Sequence, residues 1–171
     1  SDYIDTGLFL DHRITRDLIR CESSGKDVLN LFAYTGSFSV YAAAGGARRI
    51  TSVDLSRTYL DWARHNVKLN NQPTDQHEFV RANVVDFVTD RHKRREYDLA
   101  IIDAPTFSNS KRTEEDWDIQ RHHGQLVQDV SQIMKPGGIM FFATNSRRFK
   151  LDEEVLADMN VQEITHRTVP E

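Results

Sequence analysis

Short strand-like runs alternate with stretches whose apolar residues recur at helical spacing, and this alternation constrains the chain more than any other feature. The runs are Val28–Phe32, Arg49–Val53 closing on Asp54, Glu78–Ala82, Tyr97–Ile102 and Ile139–Ala143. A run of four to eight residues cannot bury itself. A crossover segment with one apolar stripe both returns the chain and covers the sheet, which is the signature of βαβ units and a parallel sheet. Tyr97–Ile102 is nearly all apolar, as expected of a strand covered on both faces.

The segments between the runs read as helices. Leu10 to Arg20 offers a stripe of Leu10, Ile14 and Leu18. A second helix starts at Ser37 and stops at Gly45-Gly46. Ser56 is a suitable N-cap for a third, with Leu60, Ala63 and Val67 on one face, and Asn70-Asn71-Gln72-Pro73 breaks it. A short helix passes through Val85 and Val88. A long polar loop, Asp103 to about Asp116, precedes a helix carrying Leu126, Val127, Val130 and Ile133, which ends before Pro136-Gly137-Gly138. A last helix over Leu151 to Met159 and a sixth strand over Val161 to Thr168 complete the expectation. The fold class is α/β: one doubly wound, mostly parallel sheet over residues 1–171, with binding at the carboxyl ends of its strands.

At 171 residues, 39% hydrophobic and 28% charged, the chain has the composition of an ordinary globular domain. No apolar run approaches the ~20 residues of a membrane span. The single cysteine, Cys21, rules out an internal disulfide framework and fits a reducing cytosol. A cytoplasmic location is expected. The net charge of −4 excludes a polycation, so nucleic-acid contact would fall to local basic patches (residues 91–95, Lys111-Arg112, Arg147-Arg148-Lys150) or to other domains. The sequence starts at Ser1 without an initiator Met and stops at Glu171, so a fragment of a longer multidomain chain is expected.

Three strand ends carry the chemistry. The first is the turn Phe32-Ala33-Tyr34-Thr35-Gly36-Ser37, where a glycine lets backbone pass close to a ligand and the following helix offers free N–H groups. Asp54 closes the second strand, where an acid can accept from both hydroxyls of a ribose. Together they indicate an adenosine-type cofactor, with Phe32, Tyr34, Thr35, Gly36, Asp54 and Leu55 as its contacts. The G-x-G-x-x-G fingerprint of NAD enzymes and the Walker A sequence are both absent, which disfavours an NAD-linked oxidoreductase and a nucleotide triphosphatase. The third end, Asp103-Ala104-Pro105-Thr106-Phe107, is the most informative. Pro105 fixes φ so that nearby carbonyls can point at a ligand. Phe107 can stack on a planar base, and Asp103 can accept from its amino or imino groups. Metal chemistry is disfavoured: the seven histidines are scattered, and the adjacent His122 and His123 diverge on a helix.

With these segments in view, the chain resembles the Asp/Asn-Pro-Pro-aromatic amino- and base-methyltransferases, which have a Rossmann-like fold and use S-adenosyl-L-methionine (SAM). More closely, it is similar to the carboxyl-terminal guanine-N7 methyltransferase domain of the bifunctional bacterial 23S rRNA methyltransferases. The resemblance rests on Asp5-Thr6-Gly7-Leu8-Phe9-Leu10-Asp11-His12-Arg13, Leu29 to Ser37, Val53-Asp54-Leu55-Ser56-Arg57-Thr58-Tyr59, and Asp103-Ala104-Pro105-Thr106-Phe107-Ser108-Asn109-Ser110-Lys111. It covers nearly the whole chain.

It implies SAM as methyl donor, guanine N7 of 23S rRNA as acceptor, and RNA-recognition and second methyltransferase domains as partners in a parent chain. Thr35-Gly36 would line the methionine end of the cofactor. Asp11 and Arg13 would close the site, Arg13 against the methionine carboxylate. Asp103, Pro105 and Phe107 would form the catalytic centre, and Lys111, Arg112, Arg147 and Arg148 would contact RNA phosphates. The chain departs from the family in three ways. Ala104 replaces the first proline, which is expected to loosen the loop. Asn83 replaces the acid that meets adenine. The seventh strand, normally inserted between the fifth and sixth, is not evident. C5 methylation of cytosine needs a cysteine nucleophile, and neither Cys21 nor Thr144-Asn145-Ser146 supplies one near the site. Exocyclic-amine methylation, or a SAM- or RNA-binding module without activity, stays open.

Overall fold

The computed structural model describes residues 7–90, 96–108, 117–146, 148–152, 157 and 159–168. Five parallel strands form one sheet in the order β3-β2-β1-β4-β7, where β1 is Asp27–Leu31, β2 Arg49–Asp54, β3 His77–Arg81, β4 Tyr97–Asp103 and β7 Met134–Ala143. Two short antiparallel strands, β5 (Phe107–Ser108) and β6 (Trp117–Asp118), stand apart from it. The order reverses direction between β1 and β4, which is the switch point where such sheets open a crevice.

Both faces of the sheet are covered, because successive strand residues point to opposite sides. On one face Val28, Ile50, Leu99 and Ile101 pack with Ile19 of α1 (Arg13–Glu22) and Phe38, Ala42 and Ala43 of α2 (Ser37–Ala44). α3 (Arg57–Leu69) lies beside α2. Leu29, Leu31, Val53, Ala100 and Ile102 face the other way, against α4 (Val84–Thr89) and α5 (Ile119–Ser131). A buried chain of hydrogen bonds, Asn30 Nδ2 to Ser39 Oγ and on to Ser52 Oγ at 2.8 Å each, ties β1 and β2 to α2. As expected from sequence, Ser56 caps α3 by accepting from Tyr59 N, and Leu60, Ala63 and Val67 are its buried face.

Four expectations change. The first helix begins as a 3-10 turn, Leu10–His12, and only then becomes α1. The change of pitch rotates the stripe, so Thr15, Arg16 and Ile19 are buried while Leu10 is 72% exposed. The fifth parallel strand starts at Met134 instead of Ile139: the register slips between Tyr97 and Leu99, and the bulge absorbs Pro136-Gly137-Gly138. An edge strand tolerates a proline there because no neighbour needs its N–H. The sixth strand over Val161 to Thr168 does not form. Val161, Ile164 and Thr168 are spaced by three and four, not two, and Thr165–Thr168 is a short helix, α6, packed on α1. Of the expected helix over 151–159, Leu151, Asp152, Ala157 and Met159 are described and none is helical. Residues 153–156 and 158 lie outside the described residues, as do 91–95 and 109–116. Among the described residues no helix is long and apolar enough to cross a membrane.

Candidate functional site

Register brings the three informative strand ends together. Leu31 of β1 pairs with Val53 on one side and Ile102 on the other, so the next residues, Phe32, Asp54 and Asp103, emerge side by side at one edge of the sheet. A strand spacing of about 4.8 Å places the two acids about 10 Å apart, flanking Phe32.

The turn after β1 is wound tightly. Phe32 (φ 55°), Tyr34 (φ 49°) and Gly36 (φ 75°) are all left-handed. This winding turns Tyr34 N toward Asp54 Oδ2 at 2.9 Å, while Ser56 N donates to Oδ1 at 2.8 Å. Burial raises the Asp54 carboxyl above the ordinary carboxylate range, and the Ser56, Tyr34 and Leu55 amides oppose that shift. Gly36 has no room for a side chain, since a Cβ there would stand 2.7 Å from Ala63 Cβ. Thr35 is buried and its hydroxyl donates to Gly7 O at 2.6 Å. The Tyr34 ring lies between Phe9 and Tyr59, with centroids at 5.5 and 4.6 Å. Leu55 is half-buried and its carbonyl accepts from Arg81 Nε. Asn83 caps α4, its Oδ1 accepting from Val85 N at 2.8 Å.

At the exit of β4, successive residues are pinned one by one. Ala104 N donates to Ala143 O (3.2 Å), Trp117 Nε1 to Pro105 O (2.9 Å) and Ile119 N to Thr106 O (3.3 Å). Pro105 O thus holds one protein donor and keeps its second lone pair. Trp117 holds its place by packing on Phe32 and His122. Beyond this braced stretch Phe107 is 54% exposed. Asp103 is largely buried, and burial raises its carboxyl; His12, Asp11 and Arg16 modulate the shift, the carboxylate of Asp11 adding to it and the other two opposing it.

A sequence model of the S-adenosylmethionine-dependent methyltransferases matches residues 2–166. The chain belongs to that family. It is 48% identical to "Ribosomal RNA large subunit methyltransferase K/L" of Vibrio cholerae over 99% of its own length and 24% of that protein's. Identity to the Hahella chejuensis protein of the same name is 52%, over 100% and 23%. The chain thus spans about a quarter of these relatives. Among solved structures, SMU.776 in complex with SAH superposes with a TM-score of 0.81 at 33% identity, covering 86% of this chain and 39% of that one. A protein from Streptococcus mutans described as SAM-dependent gives 0.78 at 30%, covering 92% and 40%.

The residues present fit the methyl donor of this methyltransferase family. Asp54 is a half-buried carboxylate held by backbone amides, and each oxygen keeps a lone pair for a hydroxyl, as a ribose requires. The amides of Ala33, Tyr34 and Gly36 are taken up by protein acceptors, and the first amides of α2 offer backbone donors beside it. Among the described residues no group of three or more His, Cys, Asp or Glu side chains could hold a metal.

The remaining assignments scatter. Asp11 and Arg13 are exposed at the start of the first helix. Arg148 is exposed five residues beyond the end of β7, whereas Lys111, Arg112 and Arg147 lie outside the described residues. His122 and His123 do diverge: His123 is buried and its Nε2 accepts from Asp152 N, while His122 turns toward Trp117. Three site residues escape a reading by pattern. His12 lies against Asp103, Arg16 is buried on the helix behind it, and Trp117 braces Pro105. The sequence signal for His12 was its place inside the Asp11-His12-Arg13 motif; for Arg16 and Trp117 there was none.

Proposed function

We propose that this chain catalyses SAM-dependent methylation of guanine N7 in 23S rRNA in the cytoplasm. The observation that carries the reading is the adjacency of Asp54 and Asp103 across Phe32: one half-buried acid suited to a ribose and one suited to a base, on the same sheet edge. The names of the rRNA methyltransferase relatives supply the substrate class.

When bound, SAM supplies an electrophilic methyl on a sulfonium, and transfer to a ring nitrogen is an in-line displacement in which positioning does most of the catalysis. Guanine N7 has a free lone pair and no proton, so the protein supplies no base. Asp103 accepts from guanine N1–H and the 2-amino group, and its negative charge balances the positive charge that develops on the ring. Phe107, left exposed beyond the braced loop, stacks on the ring. Arg13 pairs with the methionine carboxylate, Asp11 closes the cofactor from the same side, and Asn83 keeps one amide-oxygen lone pair for adenine. Lys111, Arg112, Arg147 and Arg148 contribute phosphate contacts, and domains outside this chain do most of the RNA capture, as the net charge of −4 suggests.

Asp103→Asn tests the reading. Methyl transfer from labelled SAM to 23S rRNA is expected to fall by about 100-fold or more, with SAM affinity by calorimetry within about twofold. Nucleoside mass spectrometry of the product is expected to show 7-methylguanosine. Transfer at the wild-type rate, or a methyl on another atom, overturns the assignment.

A further inference from the structure

A strap formed by residues 7–12 links the cofactor turn to the acceptor acid. Its beginning is tied to the turn after β1, where Thr35 Oγ1 donates to Gly7 O. Its middle is tied to α1, where Arg16 Nη1 donates to Phe9 O at 2.6 Å. Its end delivers the His12 imidazole to Asp103, with Nε2 3.4 Å from Oδ1. The imidazole is not a surface ring that drifts there. Its side chain is 12% exposed and its edge meets Phe38 of α2 at 5.6 Å. The contact with Asp103 is electrostatic and not yet a hydrogen bond: the atoms are out of line, and Nε2 is buried without a hydrogen-bond partner. A buried nitrogen left this way costs stability, and a stable fold keeps such a group when it has work in another state. Contacts of this length in unliganded sites commonly tighten when the reacting complex forms.

We propose that His12 is a positioning residue for the acceptor acid: its imidazole holds Oδ1 of Asp103, so that the other carboxylate edge is aimed at the target base. The inference rests on the reading of Asp103 given above. Arg16 supports it from one turn along the same helix face. It is only 2% exposed, its guanidinium lies over the Tyr41 ring at 5.5 Å, and its charge favours the Asp103 carboxylate. Asp11, His12 and Arg16 are the charged and titratable groups acting on Asp103 among the described residues: Asp11 disfavours its ionised form, while His12 and Arg16 favour it. Removing His12 therefore leaves a buried acid facing Asp11 with one supporter fewer.

The test uses the whole protein with His12→Phe, His12→Gln, Asp103→Asn and the double variant His12→Phe/Asp103→Asn. Melting temperature and SAM affinity report folding and the cofactor site, and single-turnover transfer to a 23S rRNA transcript is followed from pH 5 to 9. His12→Phe is expected to bind SAM within about twofold of wild type and to lose about tenfold in transfer rate, with RNA KM changing less. The acid limb of its rate profile moves to higher pH. His12→Gln, which keeps an N–H donor at the same reach, is expected to recover most of the rate. In the Asp103→Asn background His12→Phe is expected to add nothing. A wild-type rate and pH profile in His12→Phe, beside an inactive Asp103→Asn, overturns the positioning role and leaves the reading of Asp103 standing. So does a loss in His12→Phe that tracks SAM affinity, or one fully additive with Asp103→Asn. An Asp103→Asn protein as active as wild type overturns both.

Discussion

Restoring the family's proline at position 104 should weaken this protein. In the related motif, proline occupies that position, and its absence suggests a looser loop. The structure shows what alanine provides: its amide donates to Ala143 O at 3.2 Å and carries the β4–β7 ladder one residue beyond the strand. Ala104 is 3% exposed, so water does not replace that donor. In Ala104→Pro the hydrogen gives way to Cδ, about 1.5 Å from nitrogen and directed at the same oxygen, which leaves Cδ and O within roughly 2 Å unless the strands part. The lost hydrogen bond costs about 1 kcal/mol. Relieving the overlap costs about 1–3 kcal/mol. The stiffer unfolded chain returns about 0.4–1 kcal/mol. The net is a loss of about 1–3.5 kcal/mol, equivalent to a melting temperature lower by roughly 2–14 °C for a domain of this size. Urea denaturation beside Ala104→Ser, which keeps the N–H and adds little volume, separates the amide from the side chain. If Ala104→Pro proves as stable as wild type while Ala104→Ser is unchanged, the 104–143 hydrogen bond does not hold this loop.

Two further outcomes follow from the same geometry. Gly36→Ala combines a left-handed φ of 75° with a methyl 2.7 Å from Ala63 Cβ. It should cost about 2–4 kcal/mol in denaturant unfolding and weaken SAM binding measured by calorimetry, and unchanged values for both would show that the turn can yield. His77 stacks on Phe79 with both ring nitrogens buried and unpartnered, and burial pushes its pKa down to about 4 from 6.5. The unfolded chain therefore takes up a proton that the folded chain refuses as pH falls from 6.5 to about 4, and stability is lost across that window. The full shift would be worth about 3 kcal/mol, but the ring is partly exposed and screening leaves about 1–2 kcal/mol. His77→Phe should lose that much less than wild type between pH 7 and 4, and parallel stability curves for the two proteins would refute it.

The sheet was legible because its signals are local. Tyr97–Ile102 is apolar at every position but Asp98, and Leu60, Ala63 and Val67 keep helical spacing behind a serine cap, so pattern alone places β4 and α3. The carboxyl end of the chain was not legible. Val161 and Ile164 are β-branched and suggest a strand, yet among the described residues no strand lies beyond β7 for them to pair with, and α6 forms instead. Asp54, Gly36 and Asp103 could be singled out because strand ends in a doubly wound sheet are privileged positions. Trp117 could not: its bond to Pro105 O spans twelve residues and depends on the pairing of β5 with β6.

Several residues that defeat pattern reading serve or border the three strand exits. Leu10 is exposed where an amphipathic helix would bury it, and Arg16 is buried where an apolar residue would serve stability better. Phe107 stands open to solvent. Phe32 and Tyr34 hold left-handed backbone that costs about 1 kcal/mol each for a side chain with a Cβ. Away from the exits, α3 is capped and striped and β1, β2 and β4 are buried in register, with left-handed Asn71 and the unpartnered ring nitrogens of His77 as exceptions. Two of the departures around the exits serve the site directly: the left-handed turn delivers Tyr34 N to Asp54, and Arg16 anchors the strap that carries His12 to Asp103. Local rules fail where the chain is built to hold something other than itself.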